Sequence, residues 1–219
     1  MDIGKVRDEL MFATLPHVAF DGWTQTAIQA GAADAGLDSA TALNAFPGGA
    51  AEMIEAFSAW GDRRMLEELE KRDLASMRVS ERVAAGVRCR LELLLPHQEA
   101  LRRGLSYFAL PPNAALGLKC LYRTVDAIWY AAGDNATDYN FYSKRLLLAG
   151  VYSSTLLYWL NDKSEGRAES WAFLDRRIAE VLKVGGSLGR GLKSLLDLPD
   201  RLFQAARPGR GADRGFRAR

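Results

Sequence analysis

The sequence predicts an all-α protein, a helical bundle of about nine helices. Three observations predict it. Apolar residues recur at three- and four-residue spacing through most of the chain. Proline and glycine breaks fall about one helix length apart. Alternating Val/Ile/Thr runs and Asn-Gly hairpins, the signatures of strands, do not occur. The 219 residues can bury a full core in one domain, or in one domain with a small appendage.

In order, the first helix is expected over residues 3–14, stopped before Pro16. The second spans 23–35, with Gly36 as its C-cap. Ser39 is the expected N-cap of a short helix to Phe46, ended by Pro47-Gly48-Gly49. Longer helices follow over 50–72, 77–95 and 98–110, the last two closed by Pro96 and Pro111-Pro112. The seventh, 113–132, carries Leu121, Val125, Ile128 and Trp129 at helical spacing. A polar elbow, Gly133-Asp134-Asn135-Ala136-Thr137, leads to an eighth helix over 138–160. Thr137 suits its N-cap and Asp138 its first turn. The uncharged run 146–160 has 15 residues, too short to span a bilayer and suited to a helix buried in protein. The ninth covers 167–184, and Gly185-Gly186 is expected to detach a final amphipathic segment, 187–206. The Gly/Arg-rich residues 208–219 are expected to be disordered. The expected division is a head (1–72), a helical core (73–184), an amphipathic helix (185–207) and a basic tail (208–219).

The net charge of +2 hides an asymmetry. Residues 183–219 hold nine Lys/Arg and three acids, a net of +6, so the first 182 residues carry −4. A basic end on an acidic body calls for an anionic partner. Cys89 and Cys120 belong to no CxxC pair and read as packed, reduced thiols. The first twenty residues resemble neither a secretory signal nor a transit peptide. The expected location is therefore the cytoplasm of a bacterium, peripheral on its inner membrane.

The head has a rhythm: Gly22-Trp23-Thr24, a helix ending Ala35-Gly36-Leu37-Asp38, then Ser39 to Pro47 and a long helix. It resembles the helix-turn-helix head of TetR-type repressors. Charge tests whether this head holds DNA, because phosphates need Lys or Arg. Residues 8–62 contain no Lys or Arg and eight acids, and the would-be recognition helix offers only Ser39, Thr41 and Asn44. No nucleic-acid partner is expected.

Three longer motifs narrow the resemblance. They are 125–134 (VDAIWYAAGD), 137–145 (TDYNFYSKR) and 171–178 (WAFLDRRI). With Gly22-Trp23-Thr24 they resemble the family of the ninth accessory protein of coenzyme Q (ubiquinone) biosynthesis, over roughly residues 15–186. The resemblance implies a TetR-like fold, a homodimer and no enzymatic activity. It implies an isoprenoid or other lipid as ligand, no cofactor, and a demethoxyubiquinone hydroxylase as the partner that receives the lipid. It also implies a docking patch at Asp134, Asp138, Phe141, Tyr142 and Arg145. Positions 138, 141, 142 and 145 share one helix face. Relatives typically carry Trp where this chain has Phe141, which keeps an apolar anchor without the indole N–H.

Catalytic groups are scarce. His17 and His97 each adjoin a proline and have no partner at metal-ligand spacing. No metal, phosphate loop or nucleophile elbow is expected. A lipid pocket is expected from the inward faces of the fifth, seventh, eighth and ninth helices. Its residues would be Leu91, Leu94, Leu121, Val125, Ile128, Leu147, Val151, Tyr152, Trp171, Leu174 and Ile178. Each is equally a core residue. In the last segment Leu188, Leu192, Leu195, Leu196, Leu202 and Phe203 share one side, with Lys193 and Arg201 opposite. That pattern fits an anchor on an anionic membrane surface, or a helix packed on protein. The sequence thus reads as a non-enzymatic lipid-binding accessory protein, and next as a TetR-like regulator with a small apolar ligand.

Overall fold

A computed structural model of the chain describes residues 3–133 and 140–196, with 140–141 and 184–196 as backbone. Among the described residues there are nine α-helices and no strand. They are α1 (Ile3–Asp21), α2 (Gln25–Asp34), α3 (Ser39–Ala45), α4 (Gly49–Glu70) and α5 (Val79–Leu94). Then come α6 (Gln98–Phe108), α7 (Ala114–Ala131), α8 (Asn140–Trp159) and α9 (Ala168–Leu196). No described helix is long and apolar enough to cross a membrane. One compact unit comprises Met1–Ile178, and the chain from Ala179 onward is a second.

Two helix ends differ from the sequence expectation. α1 does not stop before Pro16 but runs through it to Asp21. An interior proline forfeits one backbone hydrogen bond and strains the turn before it, a cost of about 3 kcal/mol. Here Leu15 and Val18, beyond the expected stop, are buried in the stripe that starts at Val6 and Leu10, so packing carries the helix onward. α9 likewise continues through Gly185-Gly186 to Leu196. Glycine in a helix costs only about 1 kcal/mol relative to alanine, too little to force a joint. A smaller shift concerns α3, whose cap is Asp38 rather than Ser39: the carboxylate accepts from Thr41 N at 2.7 Å.

The head is built on close approach. α1 lies along α2, and a β-carbon on Gly31 would collide with the backbone and hydroxyl of Thr14. Leu10, Met11, Val18, Ile28 and Met53 are sealed in one apolar cluster. Arg7 ties α1 to the end of α3 through the Ala45 carbonyl, and to α4 through Glu52 at 2.7 Å. Where α1, α4 and the turn before α6 meet, His97 sits within 5.9 Å of the rings of Phe12, Phe57 and Trp60. Burial pushes its pKa down, as expected for a neutral ring in an aromatic box.

Candidate functional site: an apolar cavity between α4, α6, α7 and α8

The remaining helices do not close completely. α4 packs on both α5 and α7, and α7 on α8, leaving a cavity of about 420 Å³. Small-molecule sites fall in the range of about 300–1,000 Å³. α4 contributes Ile54, Phe57 and Ser58, and Trp23 reaches in from the head. Trp23 Nε1 donates to the Ala100 carbonyl at 2.9 Å, which orients its ring. α6 lays its whole apolar stripe along one wall: Ala100, Leu101, Gly104, Leu105 and Phe108. α7 adds Gly117, Leu118, Cys120, Leu121 and Thr124, and α8 adds Tyr152, Ser153, Leu156 and Leu157. Leu118 and Leu157 are 66% and 57% exposed and mark the mouth.

The opposite end is polar and buried. Asp62 Oδ1 accepts from Arg90 Nε at 2.9 Å and Thr124 Oγ1 at 2.7 Å, while Oδ2 accepts from Arg123 Nε at 3.1 Å. Arg123 continues to Glu55, which Lys119 also meets at 2.6 Å. This network locks α4, α5 and α7 together, and Arg90 and Thr124 turn it toward the cavity. The charged groups are matched within the protein, as burial of ions requires. Burial pushes the Cys89 and Cys120 thiols up, so neither supplies a thiolate near neutral pH. Among the described residues no His/Cys/Asp/Glu group could hold a metal ion.

The eleven residues expected at a pocket are distributed differently. Leu94, Leu121 and Tyr152 line the cavity. Leu91, Val125, Ile128 and Val151 are buried side chains of the solid core, and Leu147 and Ile178 are half-buried. Trp171 and Leu174 border a separate shallow groove with Arg72, Met77 and Arg88. The α6 wall is absent from the expectation, because a short amphipathic helix looks the same in sequence whether it covers a packed core or a gap. Ile54, Phe57 and Trp23 were obscured in the same way by their place in the head.

Of the expected docking patch, Asp134 and Asp138 lie outside the described residues, as does the Phe141 side chain. Tyr142 is 71% exposed. Arg145 is not a surface cation: it is 6% exposed and pairs with Asp126 of α7 at 2.6 Å, fastening α8 to α7. The side chains of Leu188, Leu192, Lys193, Leu195 and Leu196 are outside the described set, and so are Arg201, Leu202 and Phe203 and the basic tail.

The short helix that would be the recognition helix of a TetR-type head can be inspected directly. α3 exposes Ser39, Ala40, Leu43 and Asn44 and carries no cation. Several head acids are matched by cations within the protein, among them Glu52, Glu55 and Asp62, so the count of eight overstates their free charge. The missing cations on α3 remain.

Comparison with known proteins places the chain. The COQ9 family model matches residues 114–185, which cover α7, α8 and the first part of α9. The ubiquinone biosynthesis protein COQ9, mitochondrial, of Rattus norvegicus is 34% identical over 188 residues, 83% of this chain and 60% of that protein. The Homo sapiens protein of that name is 32% identical over 83% of this chain and 59% of its own length. The chain thus spans about three-fifths of the length of these relatives. Among solved structures, a TetR transcriptional regulator from Nitrosomonas europaea superposes with a TM-score of 0.67 at 22% identity. It matches 80% of this chain and 96% of its own. That likeness establishes a TetR-like fold. These names also correct the expected location. The relatives are named mitochondrial, which overturns a bacterial inner-membrane placement resting on the first twenty residues alone.

Proposed function

From a chain whose residues 114–185 match the COQ9 family model, and which is similar to COQ9 proteins over most of its length, we propose a lipid-binding accessory role in ubiquinone biosynthesis. In this reading the protein is not an enzyme. It holds an isoprenoid or quinone-precursor lipid, works as a homodimer at an anionic membrane surface, and presents the lipid to the demethoxyubiquinone hydroxylase. The mitochondrial setting printed for the relatives is the setting proposed.

The observation that carries the reading is the apolar cavity of about 420 Å³ with an exposed leucine mouth. An apolar chain entering it removes both its own surface and that of the lining from water, at about 25 cal/mol per Å². The buried Asp62 network fixes α4, α5 and α7 relative to one another at the polar end of the space. Tyr142, exposed on α8, offers an aromatic contact for the hydroxylase. A repressor role has no comparable support, because α3 offers phosphates no cation.

Mass spectrometry of lipid extracted from the purified protein tests the reading. Stoichiometric neutral isoprenoid lipid is the expected result. A protein that arrives empty and takes up no isoprenoid from vesicles refutes it. For the partner, Tyr142→Ala is expected to weaken hydroxylase pull-down several-fold with lipid content unchanged, and undiminished capture removes Tyr142 from the docking surface.

A further inference from the structure

The cavity is blind on its inner side. Trp23, Ile54, Phe57, Leu94 and Ala100, which line it, also belong to the filled apolar cluster of the head. Trp23 is fixed by its bond to the Ala100 carbonyl, with its ring 5.8 Å from that of Phe57, and Phe57 stacks on Trp60 at 6.0 Å. Behind that wall lies close-packed protein, which yields little. The polar corner is closed as well. Thr124 is spent on Asp62, and the Arg90 guanidinium is held by Asp62 and the Ser58 carbonyl and packs against Gly61, where a β-carbon would overlap it. Leu118 on α7 and Leu157 on α8, both exposed, stand at the open side. A chain that enters therefore ends inside, and whatever does not fit trails out past these two leucines.

We propose that the cavity is a length gauge for polyprenyl chains: it takes about three isoprene units and leaves the remainder outside. The count follows from volume. An apolar cavity of about 150 Å³ accommodates benzene, with its six carbons. On that scale the 420 Å³ of this cavity holds about 17 carbons, close to three isoprene units. Each methylene moved from water into an apolar site is worth about fourfold in affinity. The third unit, buried, thus adds strongly to binding, and the fourth gains only what the leucine mouth offers it. The inference rests on the cavity being a lipid site, and it adds a rule of specificity: the protein discriminates against short prenyl chains and does not distinguish among long ones.

A series of prenols with one head group tests it, by titration of the full chain at submicromolar prenol, with Trp23 in the cavity wall as a fluorescent reporter. The series is geraniol, farnesol, geranylgeraniol and geranylfarnesol, with two, three, four and five units. Affinity is expected to rise about tenfold or more from geraniol to farnesol, after ordering costs, and to stay within about threefold from farnesol onward. Gly104→Leu, which places a side chain on the wall beside Trp23, is expected to erase most of the advantage of farnesol over geraniol. Unaltered far-UV circular dichroism shows that the variant is folded, and the wild-type series decides the matter if it is not. Gains of about tenfold per unit that continue to geranylfarnesol overturn the gauge while leaving the lipid cavity standing. So does a plateau already reached at geraniol, or an undiminished advantage of farnesol in the folded variant. No binding of any prenol brings down the lipid reading and the gauge together.

Discussion

The head and the cavity are built from the same kinds of residues and end in opposite states. Around α1 and α2, helices approach until a glycine hydrogen is all that fits between Gly31 and Thr14. Around α6 to α8, Gly104 has an ordinary neighbour, Trp23 Nε1 at 3.5 Å from where a β-carbon would stand, and open space beyond. The difference lies in what spaces the helices. Small residues (Ala27, Gly31, Ala32) let α1 and α2 close on each other. The Asp62–Arg90–Arg123 network clamps α4, α5 and α7 at one end of the space, and the large side chains of Phe57 and Tyr152 stand in its lining. Similar hydrophobicity thus gives a filled core in one place and a receptive gap in another.

The largest effect is expected at the clamp. Asp62→Ala leaves Arg90 buried without its carboxylate and should cost about 3–5 kcal/mol in chemical denaturation. A cost below about 1 kcal/mol would mean that the network does not tie these helices together. Next comes Leu10→Ala, a fully buried head residue, at about 2–5 kcal/mol. Leu118→Ala at the exposed mouth should stay within about 0.5 kcal/mol. Equal costs would erase the distinction between filled and hollow regions. The glycines give the smaller, sharper pair. Gly31→Ala should destabilise by about 1–3 kcal/mol through overlap with Thr14. Gly104→Ala should be neutral, or stabilising by up to about 1 kcal/mol, from helix propensity.

A pH series probes the corner between α8 and α9. Burial pushes the Asp162 carboxyl up, but hydrogen bonds from Ser170 and Ser164 outweigh it and hold the group well below the usual carboxylate range. A carboxyl depressed in the folded state contributes stability that is present above its unfolded value of about 4 and lost as pH falls below it. Thermal melts should therefore show an acid limb that Asp162→Asn reduces. An unchanged limb would assign acid sensitivity to other carboxylates.

Much of this was legible in the sequence, and the misses share a cause. Periodicity and caps place nine helices, because each must bury one face and each break is chemically marked. Pro16 and Gly185-Gly186 mislead because local cost was weighed without the packing that overrides it. The motifs at 125–134 and 171–178 carry the family without marking the cavity. Val125 and Ile128, expected at the pocket from their inward helix face, are buried core, while α6 supplies a wall that no motif marks. Hollowness is a property of gaps between side chains, and a one-dimensional pattern records side chains alone. Arg90 is hidden for a related reason: in the sequence it is one cation among many, and only the fold sets Asp62 and Gly61 against it.

The most direct test fills the gap and leaves the rest alone. Gly104→Leu places a side chain on the cavity wall beside Trp23, and isoprenoid uptake is measured by native mass spectrometry against wild type. The account predicts a folded variant of wild-type stability or better that loses most of its bound lipid. A folded variant that retains a full complement of lipid would show that the ligand sits elsewhere and would contradict the account.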